Sequence, residues 1–435
     1  MKVEIQSKNL IKPSFGTPSI LRRYKISFID EFAPTTYVPL VLFIPSSNGD
    51  VSCSIAKLRK SLEKTLTLMY PLAGRYIEDI REVDCNDQGV EFIQSQVDIT
   101  IEEILHLKEN PKVINEFLPL KIWSTFEATN PLLAIQVTIF RCGGLALGVN
   151  MSHKIGDAAT LTTFLTQWAT FSRRETKVEV VANSIFPVSG LFPSRGLSPF
   201  EIHFANSESN DDYVTIKLSF NGYAISKMRA KATLGGKINT HHMSKGQLVS
   251  ALLWKAFIGV DYAIYGHPKC SALVQPIDLR HGTISLIPKN AFGNLWGLIV
   301  TSCDTIKEFA ELTTLLTDNF KETTNEYLKV GHDNHEMKKV ILNSFSHYTN
   351  IPNSTEIIWS TSWCKFPFYG VNFGFEKPLW ISFGFGTFKR SIILLDDEGG
   401  DGVEAYVNLG VKHVPYFEQD EDIKAFASGK QRTKL

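Results

Sequence analysis

The hydrophobic periodicity that runs through most of the chain is lost between residues 172 and 212. Prolines, serines and glycines accumulate there, and the stretch ends in Ser207-Glu-Ser-Asn-Asp-Asp212. A connection of this length without regular structure is unusual inside one compact domain, whereas domain boundaries fall in such segments. The chain of 435 residues is also long enough for two or three domains. We therefore expect an N-terminal domain over residues 1–172, a crossover linker over 173–212 and a C-terminal domain over 213–435.

Helices and strands are predicted on both sides of this linker. In the first half, apolar residues recur at helical spacing from Ile55 to Met69, which predicts an amphipathic helix ending before Pro71. Two apolar runs, 133–142 and 145–151, are joined by a glycine pair, which favours a β-hairpin. Asp157 stands where the N-cap of the next helix belongs.

The second half contains similar patterns. Ser244-Lys-Gly-Gln247 fits a capping box, and apolar residues at helical spacing predict a long helix from Ile306 to Phe320. The predicted strands are 213–220, 379–385, 391–396 and 402–408. Strands and helices in both halves predict a two-domain α/β protein with mixed sheets.

Charge and cysteine content argue against several classes of protein. Forty-five basic residues balance forty-five acidic ones, whereas a nucleic-acid-binding protein usually carries a basic excess. We find no apolar window of 18 residues that would span a membrane, and no apolar segment of a secretory signal near Met1. The six cysteines are scattered without Cys-x-x-Cys or metal-like spacing, which predicts a reduced, cytoplasmic protein with no metal site.

His153 is the residue best placed for chemistry. It lies in Asn150-Met-Ser-His-Lys-Ile-Gly-Asp157, just after a predicted strand and just before a predicted helix, where a rigid scaffold can present a side chain. With an ordinary pKa of about 6.5, such a histidine is neutral at cellular pH and can accept a proton. Asp157 could orient the ring or brace the loop. A bare His-x-x-x-Asp also arises by accident in a chain with eleven histidines, so the pattern alone is weak.

A series of short stretches along the chain is specific in its order, although no single stretch is. They are Tyr70-Pro-Leu-Ala-Gly-Arg75, Val83-Asp-Cys-Asn-Asp-Gln-Gly89, Ser152-His-Lys-Ile-Gly-Asp157, Gln275-Pro-Ile-Asp-Leu-Arg280, Asn290-Ala-Phe-Gly-Asn294, Thr361-Ser-Trp-Cys364, Asn372-Phe-Gly-Phe-Glu-Lys-Pro378 and Gly400-Asp-Gly-Val-Glu-Ala405. This series resembles the plant BAHD acyl-CoA-dependent acyltransferases over nearly the whole chain. The stretch around His153 resembles the branch with alkaloid, capsaicin and acylsugar acyltransferases.

The resemblance implies a fold like that of chloramphenicol acetyltransferase, with a channel between two domains. Acyl-CoA is then a co-substrate, and no cofactor is permanently bound. His153 is the implied general base, while Thr361 and Trp363 are the implied donors to the oxyanion or to the substrate. Asp157 and Arg280 are implied to form a pair that supports the site.

The stretch that begins at Asn372 departs from the family pattern. Where the family has Asp-Phe-Gly-Trp-Gly, this chain has Asn372-Phe-Gly-Phe-Glu376. Asn372 cannot carry a negative charge, so an ion pair becomes a neutral hydrogen bond at best. Glu376 replaces a glycine and excludes a comfortable positive φ there. We expect Asn372 and Gly374 to support the structure of the site rather than take part in the chemistry.

Three functions follow as alternatives. The first is O-acylation of a plant specialised metabolite, with a sugar hydroxyl in acylsucrose synthesis slightly favoured. The second is the same chemistry on an alkaloid or another small alcohol. The third, motivated by Asn372, Phe375 and Glu376, is a non-catalytic relative that binds a small molecule or a partner. For the enzyme we expect a cytoplasmic monomer that binds neither nucleic acid nor membrane.

Overall fold

The computed structural model describes residues 1–46, 49–106, 111–121, 130–174, 185–199, 213–233, 243–280, 287–330, 334–384 and 390–434. The chain forms two compact units, and each is assembled from three segments. Unit 1 comprises Met1–Ile202, Ile287–Leu295 and Phe366–Gly386. Unit 2 comprises His203–Leu286, Trp296–Lys365 and Thr387–Leu435.

Both units contain strands and α-helices, which are numbered in chain order. The strands are β1 (Val3–Ile11), β2 (Arg23–Lys25), β3 (Tyr37–Ile44), β4 (Arg75–Ile77), β5 (Glu82–Asp84), β6 (Val90–Val97), β7 (Leu133–Phe140), β8 (Leu145–Ser152), β9 (Tyr213–Phe220), β10 (Ser271–Asp278), β11 (Trp296–Cys303), β12 (Glu356–Ser362), β13 (Trp380–Ser382), β14 (Ser391–Asp396), β15 (Val403–Gly410) and β16 (Ser428–Lys434). The α-helices are α1 (Phe28–Phe32), α2 (Val51–Leu68), α3 (Ile101–His106), α4 (Pro111–Asn115), α5 (Ala158–Arg173), α6 (Gly222–Thr233), α7 (Lys245–Tyr265), α8 (Phe309–Val330), α9 (Asn334–Thr349), α10 (Val414–Phe417) and α11 (Glu421–Phe426).

The larger sheet of unit 1 has the strand order β1-β6-β7-β8-β3-β13, and β2, β5 and β4 form a small second sheet. Only β6 and β7 are parallel neighbours in the larger sheet. All eight residues of β8 are buried, which is typical of a central strand that is covered on both faces. Helices α2 and α5 pack together, and the buried indole of Trp168 donates a hydrogen bond to the Leu58 carbonyl at 3.0 Å. The result is a rigid strand β8 that ends one residue before His153.

The sheet of unit 2 has the strand order β11-β10-β12-β14-β15-β9-β16. Strand β12 is parallel to both of its neighbours, whereas the other pairings are antiparallel. Helix α7 lies at the centre of the core of this unit, and Trp254 in its middle is fully buried. Among the described residues α7 is also the one helix long and apolar enough to cross a membrane by length and composition, although Lys255 and Asp261 interrupt its apolar sequence. Packing in the core accounts for this composition, because 67% of its apolar window is buried inside the protein.

Most of the predicted elements are present. Helix α2, the β7–β8 hairpin and the strands at 213–220 and 391–396 are confirmed, as are the caps at Asp157 and Ser244. The predicted helix start at Ile306 is wrong, because α8 begins at Phe309 and Ile306 lies before it, 52% exposed. The strand predicted over 379–385 is a strand only at Trp380–Ser382 in the described part of the chain.

The two units divide the chain differently from the predicted domains. Residues 287–295 and 366–386 fall inside the predicted C-terminal domain but belong to unit 1. The physical reason is pairing with unit 1, since β13 extends the sheet at β3 and Asn294 donates hydrogen bonds to Asp30. Linker residues 175–184 and 200–212 lie outside the described residues.

The described part of the predicted linker, 185–199, belongs to unit 1 and is well anchored. Val188 and Phe192 are fully buried. The carboxylate of Glu31 accepts hydrogen bonds from the backbone N–H groups of Arg195, Gly196 and Leu197 at 2.9–3.1 Å. This segment is therefore a packed part of unit 1.

Candidate active site

His153 occupies the connection between β8 and α5. Its backbone N–H donates to the carbonyl of Thr36 at 2.9 Å, which continues the pairing of β8 with β3 beyond Ser152. The residue as a whole is half-buried. Strand β8 ends directly before His153 and α5 begins at Ala158, so a short loop between two regular elements carries the imidazole.

Asn294 holds the imidazole from the other side. Nδ1 of His153 lies 3.0 Å from Oδ1 of Asn294. The amide Nδ2 of Asn294 donates one hydrogen to the His153 carbonyl at 2.6 Å and the other to Asp30 Oδ1 at 2.8 Å. Both amide hydrogens are thus used, so Oδ1 can only accept, and Nδ1 of the neutral imidazole carries the proton. The unshared electron pair of His153 is therefore on Nε2.

Asp30 fixes the orientation of this amide. It is fully buried in α1, where it forms a capping box with Ser27. Its Oδ1 accepts from the N–H and Nδ2 of Asn294, and its Oδ2 accepts from the N–H and Oγ of Ser27. Burial raises the pKa of Asp30, although these hydrogen bonds act in the opposite direction. With four donors around it, the carboxylate can only act as an acceptor toward Asn294.

The environment keeps His153 neutral. Burial lowers the pKa of the imidazole from its ordinary value of 6.5, and this effect exceeds the opposing influence of the Asp157 carboxylate and of Asn294. A neutral imidazole with Nδ1 protonated can accept a proton only at Nε2. Chemically, the arrangement is a positioned base.

Asp157 is engaged in holding the loop together. Its Oδ1 accepts from Thr160 N at 2.9 Å as the N-cap of α5, and its Oδ2 accepts from Leu295 N at 2.9 Å. The hydroxyl of Thr160 donates to the carbonyl of Gly293 at 2.9 Å. The side chains of Asp157 and Thr160 therefore join the start of α5 to the segment that carries Asn294.

Lys154, next to the candidate base, anchors the loop to α1. Its side chain is buried, and its Nζ donates to the carbonyl of Glu31 at 3.0 Å. Burial lowers its pKa to about 8, although the carboxylates of Glu78, Asp30 and Glu31 act against this. His153 thus lies between two anchored residues, Ser152 and Lys154.

Thr361, Trp363 and Arg280 lie in unit 2. Thr361 pairs with Ile393 in β14, and the N–H of Trp363 donates to the Leu394 carbonyl at 2.7 Å just beyond the end of β12. The side chains of both predicted donors are partly exposed. Arg280 is buried and bonds Asp278 through its Nη1 at 2.9 Å. Asp157 and Arg280 belong to different units, and the pair predicted between them stays a prediction.

Asn372 and Gly374 lie in unit 1, beside the end of α5. Oδ1 of Asn372 accepts from the N–H of Gly374 at 2.7 Å, and the guanidinium of Arg173 donates to the Asn372 backbone carbonyl at 2.5 Å. Gly374 has φ of 94°, so the left-handed position in this turn is occupied by a glycine and not by Glu376. The turn is closed without a charge on residue 372.

Asn294 and Asp30 hold the candidate base, although the sequence alone indicated no role for either residue. Asn294 ends the stretch Asn290-Ala-Phe-Gly-Asn294 of the family resemblance, and Ser27-x-x-Asp30 has capping-box spacing, but neither pattern indicates a contact with His153. Within the described ranges of the chain, we find no group of three or more histidine, cysteine or acidic side chains that could hold a metal ion.

Residues 1–423 match the sequence profile of the transferase family. The chain is 31% identical to a limonoid 21-O-acetyltransferase of Melia azedarach over 441 residues, covering 98% of this chain and 99% of that protein. It is 32% identical to vinorine synthase of Rauvolfia serpentina over 420 residues, covering 94% of each. These similarities extend over nearly the full length of both relatives.

Solved structures share the fold. The crystal structure of vinorine synthase matches with a TM-score of 0.81 at 30% identity, covering 95% of this chain and 96% of that one. The TRI101 protein of F. sporotrichioides, crystallised with coenzyme A and T-2, matches with a TM-score of 0.73 at 16% identity over 93% of this chain and 99% of that one. The predicted two-domain α/β fold with mixed sheets, like that of chloramphenicol acetyltransferase, is confirmed.

Proposed function

The chain belongs to the plant BAHD acyltransferases of the transferase family, and we propose that it esterifies a hydroxyl group with His153 as the general base. It is an acyl-CoA-dependent acyltransferase of plant specialised metabolism, and acyl-CoA is its co-substrate. The observation that carries the proposal is the chain of contacts from Asp30 through Asn294 to Nδ1 of His153. It leaves Nε2 as the nitrogen able to accept a proton.

The proposed reaction starts with proton transfer to His153. Nε2 removes the proton of the acceptor hydroxyl while the hydroxyl oxygen attacks the thioester carbonyl. The tetrahedral intermediate then collapses, the carbon–sulfur bond breaks, and the CoA thiolate takes the proton back from the imidazolium. Because Asn294 Oδ1 accepts from Nδ1, it also stabilises the positive charge that His153 carries between these steps.

For the oxyanion we propose Thr361 and Trp363 as donors through Oγ1–H and Nε1–H. Their partly exposed side chains at the end of β12 support this assignment. A donor of this kind typically contributes about 3–4 kcal/mol to stabilisation of the transition state. We assign structural roles to Asp157, Arg280, Asn372 and Gly374.

The proposal also concerns which class of hydroxyl compound accepts the acyl group. O-acylation is supported by the limonoid 21-O-acetyltransferase among the relatives. A sugar hydroxyl and an alkaloid or other small alcohol are both compatible with a base at Nε2, because each offers a hydroxyl proton. The sugar acceptor stays a prediction from the sequence resemblance, and a panel of acceptors separates the two.

We also place the enzyme in the cytoplasm, as a monomer. All six cysteines are free thiols, which suits a reducing compartment. Size-exclusion chromatography of the purified chain tests the monomer.

The test is release of the CoA thiol. Purified protein is incubated with acetyl-CoA or branched short-chain acyl-CoAs and with sucrose, partly acylated sucroses or alkaloid alcohols. We expect acceptor-dependent release that falls about a hundredfold or more in His153→Ala. His347→Ala is the control, because that histidine is exposed on α9. Release that survives in His153→Ala would remove His153 as the base.

A further inference from the structure

Lys245 is an unusual residue for its position. It is the first residue of α7, a helix of 21 residues, where a positive charge is opposed by the helix dipole. The first turn of α7 contains no acidic residue that would offset it. A lysine at this position needs a partner elsewhere in the fold.

That partner is a group of three oxygen atoms in unit 2. Nζ of Lys245 lies 2.9 Å from Asp396 Oδ1 and donates to the carbonyls of Gly400 at 2.6 Å and Gly402 at 2.9 Å. The two carbonyls accept hydrogen bonds from the ammonium, and the Asp396 carboxylate completes the group as its charge partner at ion-pair distance. The side chains of Lys245 and Asp396 are only 17% and 21% exposed, so the ion pair is partly shielded from water.

The same carboxylate holds the residues that follow β12. Asp396 is the last residue of β14, and its Oδ2 accepts from the backbone N–H of Lys365 at 2.8 Å. Lys365 has φ of 74°, a conformation that a non-glycine residue keeps only when neighbouring contacts stabilise it. This hydrogen bond and the one from the Trp363 N–H to the Leu394 carbonyl attach residues 363–365 to β14 at two points.

Helix α7 also packs directly on the end of β12. A Cβ atom at Gly246 would lie 3.2 Å from Oγ of Ser362, the residue between Thr361 and Trp363. One ammonium therefore connects the start of α7, the end of β14 and the turn between β14 and β15, and the first two of these contact the segment 361–365.

We propose that the Lys245–Asp396 pair is a positioning device that holds Thr361 and Trp363 in the geometry needed for catalysis. The inference rests on the proposed function, because it assumes that these two side chains act on the reacting carbonyl. Lys245 and Asp396 do not contact the substrate in this scheme. They act through the backbone of residues 361–365, so their loss lowers kcat more than it weakens substrate binding.

A second ion pair, at the opposite end of β12, provides a matched control. Nζ of Lys269 lies 2.9 Å from Oε1 of Glu356, the first residue of β12, with side-chain exposures of 26% and 29%. Both are lysine–carboxylate pairs at 2.9 Å, but Asp396 ends β14 beside the segment 361–365, whereas Glu356 begins β12 at the end far from Thr361. A general loss of stability affects both variants, whereas a positioning effect affects only the Lys245 variant.

The experiment compares Lys245→Met and Lys269→Met below their unfolding temperatures. We expect kcat to fall about tenfold to a hundredfold in Lys245→Met, since a small misplacement of catalytic groups has effects of this size. KM for acyl-CoA should change by less than about threefold, and Lys269→Met should keep the wild-type kcat. Asp396→Asn, which keeps an acceptor for Lys365, should lower kcat similarly, and the double variant Lys245→Met/Asp396→Asn should lower it no further.

Two further variants separate failure of the inference from failure of the proposed function. If Trp363→Phe or Thr361→Val lowers kcat while Lys245→Met and Asp396→Asn do not, the inference is overturned and the oxyanion assignment stands. Equal losses of kcat in Lys245→Met and Lys269→Met also overturn it. If neither Trp363→Phe nor Thr361→Val changes kcat, the proposed role of these donors fails and the inference falls with it. If Lys245→Met does not fold, kcat of Asp396→Asn is compared with that of Lys269→Met instead.

Discussion

At the scale of single residues, Asn294 decides which nitrogen of His153 can act as the base. A free imidazole can carry its proton on either nitrogen. In this site Asp30 and the His153 carbonyl take both amide hydrogens of Asn294, so only its Oδ1 faces the ring. The tautomer of the base is therefore set by a carboxylate that does not itself touch the imidazole.

The protonation of His153 predicts the pH dependence of the reaction. We expect the acid limb of kcat/KM to lie below pH 6.5, because burial lowers the pKa of His153 from that value. In Asn294→Ala the limb moves to still lower pH, since the lost hydrogen bond favours the protonated ring. We also expect kcat to fall about tenfold to a hundredfold, because a hydrogen bond to a charged group contributes about 1.5–3 kcal/mol.

The measurement is a set of pH–rate profiles of the wild type and Asn294→Ala with one acceptor. An acid limb above pH 6.5, or an unchanged kcat in the variant, would contradict this account. The free energy of unfolding should also decrease as the pH falls. The unfolded chain protonates His153 more readily, so the contribution of the neutral ring is present above pH 6.5 and is lost as the pH falls below it.

At the scale of elements, the side chain of Asp157 makes one contact with a neighbouring residue and one with a distant part of the chain. Its role as the N-cap of α5 was predictable, because capping depends on neighbours within a few residues. Its second bond, to Leu295 N, was not predictable, because the partner is 138 residues away. The cap starts the helix, and the second bond attaches that helix to the segment with Asn294.

We expect Asp157→Ala to lower the free energy of unfolding by about 2–4 kcal/mol. About 1 kcal/mol is the usual loss of an N-cap, and the rest comes from the Leu295 N–H, which loses its acceptor in a buried position. Asp50→Ala is the matched control, because Asp50 caps α2 through Ser52 N but is exposed and makes only local contacts. Denaturant unfolding of both variants measures the difference. Equal losses would mean that the bond to Leu295 contributes nothing.

At the scale of the whole molecule, each unit depends on contacts between distant parts of the chain. In unit 2 the buried carboxylate of Asp261, on α7, binds the guanidinium of Arg390, which precedes β14. Arg390 also lies 3.6 Å from Glu356 at the start of β12. This network joins the central helix to the sheet through charges that are shielded from water.

We expect Arg390→Met to destabilise unit 2 by about 3–5 kcal/mol, because it leaves the charge of Asp261 buried without a partner. Arg390→Met/Asp261→Leu should regain most of this loss, since an apolar pair removes the uncompensated charge. Thermal unfolding of the two variants tests this. A double variant no more stable than Arg390→Met would show that the loss comes from packing instead.

The sequence by itself determined many of the elements, the fold class and the place of His153 between β8 and α5. Helical and strand periodicity, the caps at Asp157 and Ser244 and the glycine pair at 143–144 act over a few residues, so they can be read without the fold. The motifs that indicate the family can also be read without the fold, since each one spans only a few consecutive residues.

Only the tertiary structure decided what His153 contacts. Asn294 is 141 residues away in the chain, and residues 287–295 belong to unit 1 although both neighbouring segments belong to unit 2. No local pattern records such a contact, because its free energy comes from buried hydrogen bonds that form only when the segments are packed together. The predicted domain boundaries differ from the units for this reason, and the same long-range contacts set the protonation of the candidate base.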